Sequence, residues 1–495
     1  MMKTFLLLVA ATTIVANAAN AAPQPSAPNV LFIIADDASR HYGEAYDCDW
    51  VKTPNIDRLA KAGLIFDNAY TPTSKCAPSR AAIMTGRNPW QLEDAANHQP
   101  YFPAKFKAFS EALAEAGVYC GGAGKTWGPG EAKTADGQAR DFALGKAAGA
   151  KGGSSPGEGL AAFINSRPEG KPFFYWFGSS NPHRTYQPDS GIAAGKKPSD
   201  IDHVPTYWPD NDIVRRDMLD YAIEVEAFDA QVGSLVDALE ASGEAANTLV
   251  IVTSDHGMPF PRVKGHTFDD AHRIPFIARW PKGIAQPTRR VADFISFIDL
   301  APTFLDLMGV DGERSGMSPI TGHSFADLLK NEPSRDRSFV IVGRERNDVL
   351  CRPGTPAGLG YPARAIRRGD LFYVHNFAPD RWPCGDPDVG FKDTDASPTK
   401  SLAEDAGPSG VYWQHAFGKR PAEQLFDVAK DPDCVNNLAA DPAFTAKANE
   451  LREKLFAELK HQKDPRVLGN GDVFDQYLSP RAKPAAPAPP KKKRQ

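Results

Sequence analysis

Two short apolar runs constrain this chain more than any other feature. Asn29-Val30-Leu31-Phe32-Ile33-Ile34 is almost continuously apolar and stops at Ala35-Asp36-Asp37. Residues 248–253 repeat the pattern and stop at Ser254-Asp255-His256-Gly257. An apolar run with no polar alternation suits a strand covered on both faces, as in a mostly parallel sheet packed between helices. Residues 118–121, 172–177 and 275–278 read as further strands. Helices are expected at 54–62, with Thr53 as N-cap and Pro54 in the first turn, and at 106–116 and 213–239. Strands alternating with helices over some 300 residues predict an α/β fold, and sites in such folds gather at the carboxyl ends of the strands.

Around this core, composition sets the organisation of the 495-residue chain. Residues 1–22 combine a Lys near the start, a short apolar run and small residues, the pattern of a secretory signal peptide. Export is therefore expected, to the periplasm or the outside in a bacterium. No Cys follows the small residues, which weighs against a lipid anchor, and no later run is long enough to span a membrane. Residues 28–335 read as the α/β domain and 336–478 as a smaller C-terminal α+β domain, with hairpin strands in 367–376 and an amphipathic helix over 444–461. Residues 479–495, rich in Pro, Ala and Lys, read as a disordered basic tail. A net charge of −4 gives no general attraction to nucleic acid or other polyanions, so an anionic substrate needs a local cationic cluster. Six cysteines, at 48, 76, 120, 351, 384 and 434, are too few for a disulfide scaffold. The sequence does not settle an oligomeric state.

The chemistry concentrates in three sets of residues. Cys76-Ala77-Pro78-Ser79-Arg80, followed by Thr85-Gly86-Arg87, fixes a Cys near a helix expected to start close to Pro78. The free N–H groups and positive dipole end of that helix would stabilise negative charge at position 76, and Arg80 would add a fixed cation. The plainer reading is a buried Cys at a helix start. Asp36, Asp37 and Asp255, brought to one sheet edge, would repel one another without a cation and suit Ca²⁺ or Mg²⁺. His256 is a less usual ligand for so hard an ion. Lys125, His183 and Lys264 follow predicted strands or the acidic motif. Each alone reads as a surface charge, but together they could enclose a tetrahedral oxyanion.

These motifs, with Gly124-Lys125 and Asn181-Pro182-His183, occur in the order and approximate spacing of type I sulfatases of the alkaline-phosphatase-like superfamily, a resemblance that spans roughly residues 28–460. It implies that Cys76 is oxidised to formylglycine by a formylglycine-generating maturation enzyme. It also implies that Asp36, Asp37, Asp255, His256 and residue 76 hold Ca²⁺. A hydrated aldehyde at 76 would attack sulfur with one hydroxyl and expel sulfate through the other. Arg80, Lys125 and Lys264 would spread the charge, His183 would protonate the leaving group, and Asp255 would assist as base. Many members carry a His two places after the Lys of the Gly-Lys turn, whereas this chain has Trp127, so the base that regenerates the aldehyde is unassigned. Asn181-Pro182-His183-Arg184, Gly257-Met258-Pro259-Phe260-Pro261 and Tyr361-Pro362-Ala363-Arg364 resemble the N-sulfoglucosamine sulfohydrolase branch. The expected substrate is thus an N-sulfated glucosamine at the end of a heparan-like chain. The alternatives are an O-sulfate on another polysaccharide such as an algal one, a phosphodiester or phosphonate, or non-catalytic glycan binding if Cys76 stays a thiol. Arg344, Glu345 and Arg346 are candidate sugar contacts. Arg364 is another, and reads equally as a structural ion pair.

Overall fold

The structure is a computed structural model that describes residues 27–145 and 155–482. The proposed signal peptide and nearly all of the basic tail lie outside the described residues. The large sheet comprises β1 (Asn29–Ala35), β2 (Leu64–Tyr70), β3 (Tyr119–Gly124), β4 (Phe173–Gly178), β5 (Thr248–Ser254), β6 (Phe276–Arg279) and β7 (Arg289–Ser296). Their order across the sheet is β3-β4-β1-β5-β6-β2-β7. Every pairing is parallel except the two made by β6. The strand expected at 275–278 is therefore present, but it runs against its neighbours.

The two faces of β1 explain its unbroken apolar sequence. Val30, Phe32 and Ile34 pack with Phe109, Trp176 and Phe304 on one side of the sheet. Leu31, Ile33 and Ala35 pack with Tyr42, Val225 and Phe228 on the other. Phe109 belongs to α3 (Phe109–Glu115), which is shorter than the helix expected at 106–116. Val225 and Phe228 belong to the 30-residue helix Asp212–Ala241, whose first free N–H groups are capped by the Asn211 side chain. α1 (Pro54–Lys61) has Pro54 in its first turn as expected, but Thr53 makes no side-chain cap bond.

A second, antiparallel sheet contains β8 (Phe339–Arg344), β9 (Ala363–Arg368), β10 (Leu371–Asn376) and β11 (Glu423–Asp427) in that order. β9 and β10 form a tight hairpin that starts earlier than 367. One face of this sheet joins Tyr70 and Phe294 at the edge of the large sheet. The other packs on Leu451, Leu455 and Leu459 of the helix Thr445–His461. Its loops can therefore reach the large sheet. No helix among the described residues is long and apolar enough to cross a membrane.

Candidate active site

Strand register brings the polar turns together. Gly124 pairs with Gly178, Gly178 with Ile34, and Ile34 with Thr253, so the parallel strands β3, β4, β1 and β5 finish in nearly one row. Lys125, Asp36 and Asp255 follow directly. Gly124 sits at φ +69°, and a Cβ there would lie 2.0 Å from the carbonyl oxygen of Gly178, so the turn that aims Lys125 requires glycine.

Cys76 reaches the same edge from β2. Its helix, α2 (Cys76–Thr85), starts at Cys76 itself and not near Pro78. Lys75 is the extended residue before it, and the Ser79 N–H already bonds the Lys75 carbonyl at 3.0 Å. Pro78 is tolerated because N–H groups in a first turn have no helical partner to lose. The early start places the thiol directly at the positive end of a wholly buried helix.

The acidic set converges on this thiol. One oxygen or nitrogen each from Asp36, Asp255 and His256 lies with the Cys76 Sγ inside a group whose members are all within 4.8 Å of one another. His256 Nε2 is 3.3 Å from Sγ and 3.1 Å from Asp37 Oδ1, while its Nδ1 lies 3.0 Å from the Gly257 carbonyl. Asp255 accepts from the Asp37 N–H at 3.1 Å and from Arg80 Nε at 2.8 Å, so both of its oxygens are engaged. Lys125 Nζ is 2.5 Å from Asp36. Lys264 Nζ is 2.6 Å from Asp37, 2.8 Å from Asp395 and 3.2 Å from His183 Nε2.

This donor set fits a hard cation. Asp36 Oδ1 is buried and makes no hydrogen bond to any described residue, and Asp37 Oδ1 has only the His256 ring nitrogen at 3.1 Å, an expensive condition for paired carboxylates unless something else binds them. Burial, then Asp255 and Asp37, push the Asp36 carboxyl above its ordinary range. Burial would lower His256, but Asp255 and Asp37 overcome it and lift the imidazole to about 9. Burial and Asp36 would raise the Cys76 thiol, yet Lys125 and His256 outweigh them and hold it well below the usual thiol range. The field around residue 76 thus attracts positive charge at the carboxylates and stabilises an anion at the nucleophile.

An open cleft of about 760 Å³ leads to Cys76, lined by Asp36, Lys125, His183 and Lys264. It is also lined by residues that sequence reasoning missed: Lys75, His98, Gln99, Glu224, Asp348 and Asp395. Asp348 bridges Lys75 Nζ and His98 Nδ1, both at 2.8 Å, and Lys75, then His98, holds its carboxyl well below the usual range against the effect of burial.

The four expected sugar contacts are elsewhere. Arg344 donates to the Pro383 carbonyl at 3.0 Å and faces Asp393, and Arg346 donates to the Tyr477 carbonyl at 2.6 Å. Glu345 and Arg364 pair with each other at 2.7 Å and with Arg466 and Asp464. All four are buried and none lines the cleft. The chain does turn towards the cleft just after them, at Asp348, once β8 has ended. The signal that could have found Asp348 is its position in the loop after a strand, two residues beyond Arg346.

A mostly parallel sheet flanked by helices, with Cys76 at a helix start and an acidic cluster at the strand ends, defines an alkaline-phosphatase-like fold. Within that class the chain belongs to the sulfatase family, whose family model, described as Sulfatase, matches residues 28–149 and 157–310. It is a hydrolase acting on sulfate esters or sulfamates. An ulvan-active sulfatase of Formosa agariphila is 27% identical over 502 residues, 91% of this chain and 78% of its own. The N-sulphoglucosamine sulphohydrolase of Homo sapiens is 27% identical over 508 residues, 92% of this chain and 94% of its own. A structure solved in complex with its substrate D-glucosamine-2-N,6-O-disulfate shares the fold with a TM-score of 0.61 at 20% identity, covering 88% of this chain and 98% of that one.

Proposed function

We propose that this sulfatase removes sulfate from the terminal sugar of a sulfated glycan, using residue 76 as formylglycine and Ca²⁺ in the acidic cluster. The observation that carries the reading is the meeting of Asp36, Asp255 and His256 with the Cys76 Sγ at a helix start, with cations on three sides. Ca²⁺ held by Asp36, Asp37, Asp255, His256 and residue 76 would supply Lewis acidity to the nucleophile and to a sulfate oxygen.

The remaining work falls to the chain. Arg80, Lys125 and Lys264 are directed at the same small volume and would neutralise charge that develops on the sulfate oxygens. His183 has a half-exposed side chain, with Nδ1 tied to the Arg184 carbonyl at 2.6 Å. Its Nε2 is then the nitrogen that hands a proton to the departing oxygen or nitrogen. The nucleophile requires the maturation enzyme as a partner, and export to the periplasm or medium through residues 1–22 belongs to the same proposal.

N-sulfated glucosamine is the favoured substrate, supported by the human sulphohydrolase that matches along nearly its whole length. An O-sulfate stands second, supported by the ulvan-active relative. Sulfate release from glucosamine N-sulfate, glucosamine 6-O-sulfate and sulfated ulvan oligosaccharides, each with Ca²⁺ and with chelator, tests both. The reading predicts Ca²⁺-dependent release that is fastest from the N-sulfate. Faster release from an O-sulfate replaces the substrate, and faster cleavage of a matched phosphonate or phosphodiester overturns the activity.

A further inference from the structure

Three imidazoles surround residue 76, and two are already engaged. His256 has Nε2 against Sγ and Asp37 and Nδ1 against the Gly257 carbonyl. His183 has Nδ1 on the Arg184 carbonyl and Nε2 beside Lys264. His98 differs. It is only 5% exposed, its main-chain N–H is fixed on the Arg346 carbonyl at 2.9 Å, and its Nδ1 lies 2.8 Å from Asp348 Oδ1. Its Nε2 is buried with no hydrogen-bond partner among the described residues, and its ring lines the same cleft as the Cys76 thiol. Leaving a buried imidazole nitrogen unpaired is costly unless a reacting group completes it.

Asp348 makes this orientation firm. Its other oxygen takes the buried Lys75 ammonium at 2.8 Å, and its own N–H bonds Asp393 at 2.9 Å. A carboxylate that fixes one nitrogen of a His while the other is left unpaired in the nucleophile's cleft is the arrangement of a base held by a third group. The other nearby candidate, Trp127, donates its indole N–H to the Ala77 carbonyl at 3.1 Å. An indole nitrogen is a donor only and cannot accept a proton.

We propose that His98 is the base that releases sulfate from residue 76, with Asp348 as its positioning residue. The inference rests on the formylglycine reading above. After transfer, the Cβ of residue 76 carries one hydroxyl and one oxygen esterified to sulfate. His98 Nε2 takes the hydroxyl proton and the O–H electron pair becomes the second bond of the C=O. The Cβ–O bond to sulfate breaks, and sulfate departs with that pair. The aldehyde is restored, and the proton on His98 passes to solvent through the open cleft.

The test compares the wild-type holoenzyme with His98→Ala and His98→Gln, using 4-nitrophenyl sulfate as the probe. Peptide mass of residues 68–80 is read before substrate and after an acid quench during turnover. Both variants are expected to carry aldehyde at 76 before substrate, and sulfate on residue 76 after it. They should release one equivalent of nitrophenol per site and then slow about 10²–10⁴-fold, with partial rescue of His98→Ala by added imidazole. Gln keeps the volume and the Asp348 contact but cannot take a proton, so it guards against a folding defect in the Ala variant. Aldehyde present but no sulfated residue 76 and no burst in either variant overturns the role of His98 and leaves the formylglycine reading standing. Thiol at 76 in the wild type overturns that reading and this inference with it.

Discussion

Two of the buried charged clusters among the described residues are built on different principles. Around Arg364 every charge is closed. Its Nε and Nη2 take Asp464 and Glu345, both at 2.7 Å, its Nη1 takes the carbonyls of Arg344 and Ala363, and Arg466 completes Glu345 at 2.8 Å. Around Cys76 the charges are as deeply buried, but Asp36 Oδ1 and His98 Nε2, from two residues that line the cleft, have no hydrogen-bond partner among the described residues. Buried charge therefore does not mark a site by itself. Unpaired carboxylate and imidazole atoms gathered around one Cys are the stronger mark, because a buried polar atom without a partner is costly and several in one place call for a shared ligand or reacting group.

The largest expected effect separates the clusters by activity. Cys76→Ala should lower turnover on the order of 10⁴-fold or more while leaving thermal unfolding near that of the wild type. A fully active Ala variant would remove the distinction altogether. Arg364→Ala should do the reverse, costing about 3–5 kcal/mol in denaturant unfolding because Asp464 and Glu345 lose a buried partner, with kcat/KM of the folded fraction little changed. Next in size is the cation. Ca²⁺ at 100 times its Kd should raise wild-type stability by about 2.7 kcal/mol, read as a higher Tm. Asp36→Asn should blunt that gain, whereas Arg364→Ala should keep it. The smallest change is at the surface, where removing the exposed Arg58–Asp237 pair should move stability by no more than about 1 kcal/mol.

The framework was readable in the sequence where local pattern and burial agree. β1, β5 and the long helix at Asp212–Ala241 follow apolar runs or a repeating apolar face, and the residues flanking the strands arrive at one edge because parallel register leaves no alternative. Cys76, Asp36, Asp37, Asp255 and His256 were visible as short motifs attached to those strands. The antiparallel sense of β6 was not, since an apolar tetrapeptide has no direction. Asp348 and Asp395 escaped because they lie in C-terminal loops hundreds of residues from Cys76 and are carried to it by docking of the second sheet. The placing of Arg344, Glu345 and Arg346 as sugar contacts has the same origin, whereas Arg364 forms the structural ion pair that was its other reading. A charged segment near a strand end predicts proximity to the site, but which side chains turn inward depends on partners such as Asp464 and Arg466, which local sequence does not reveal.

The most direct test of the account is the mass of the peptide spanning residues 68–80 from natively produced protein. An aldehyde in place of the Cys76 thiol is the predicted result, and it would make the open cluster a formylglycine site. Unmodified thiol from a host able to perform the maturation would contradict the account, leaving a buried Cys within an acidic cluster and a protein that binds sulfated glycans without cleaving them.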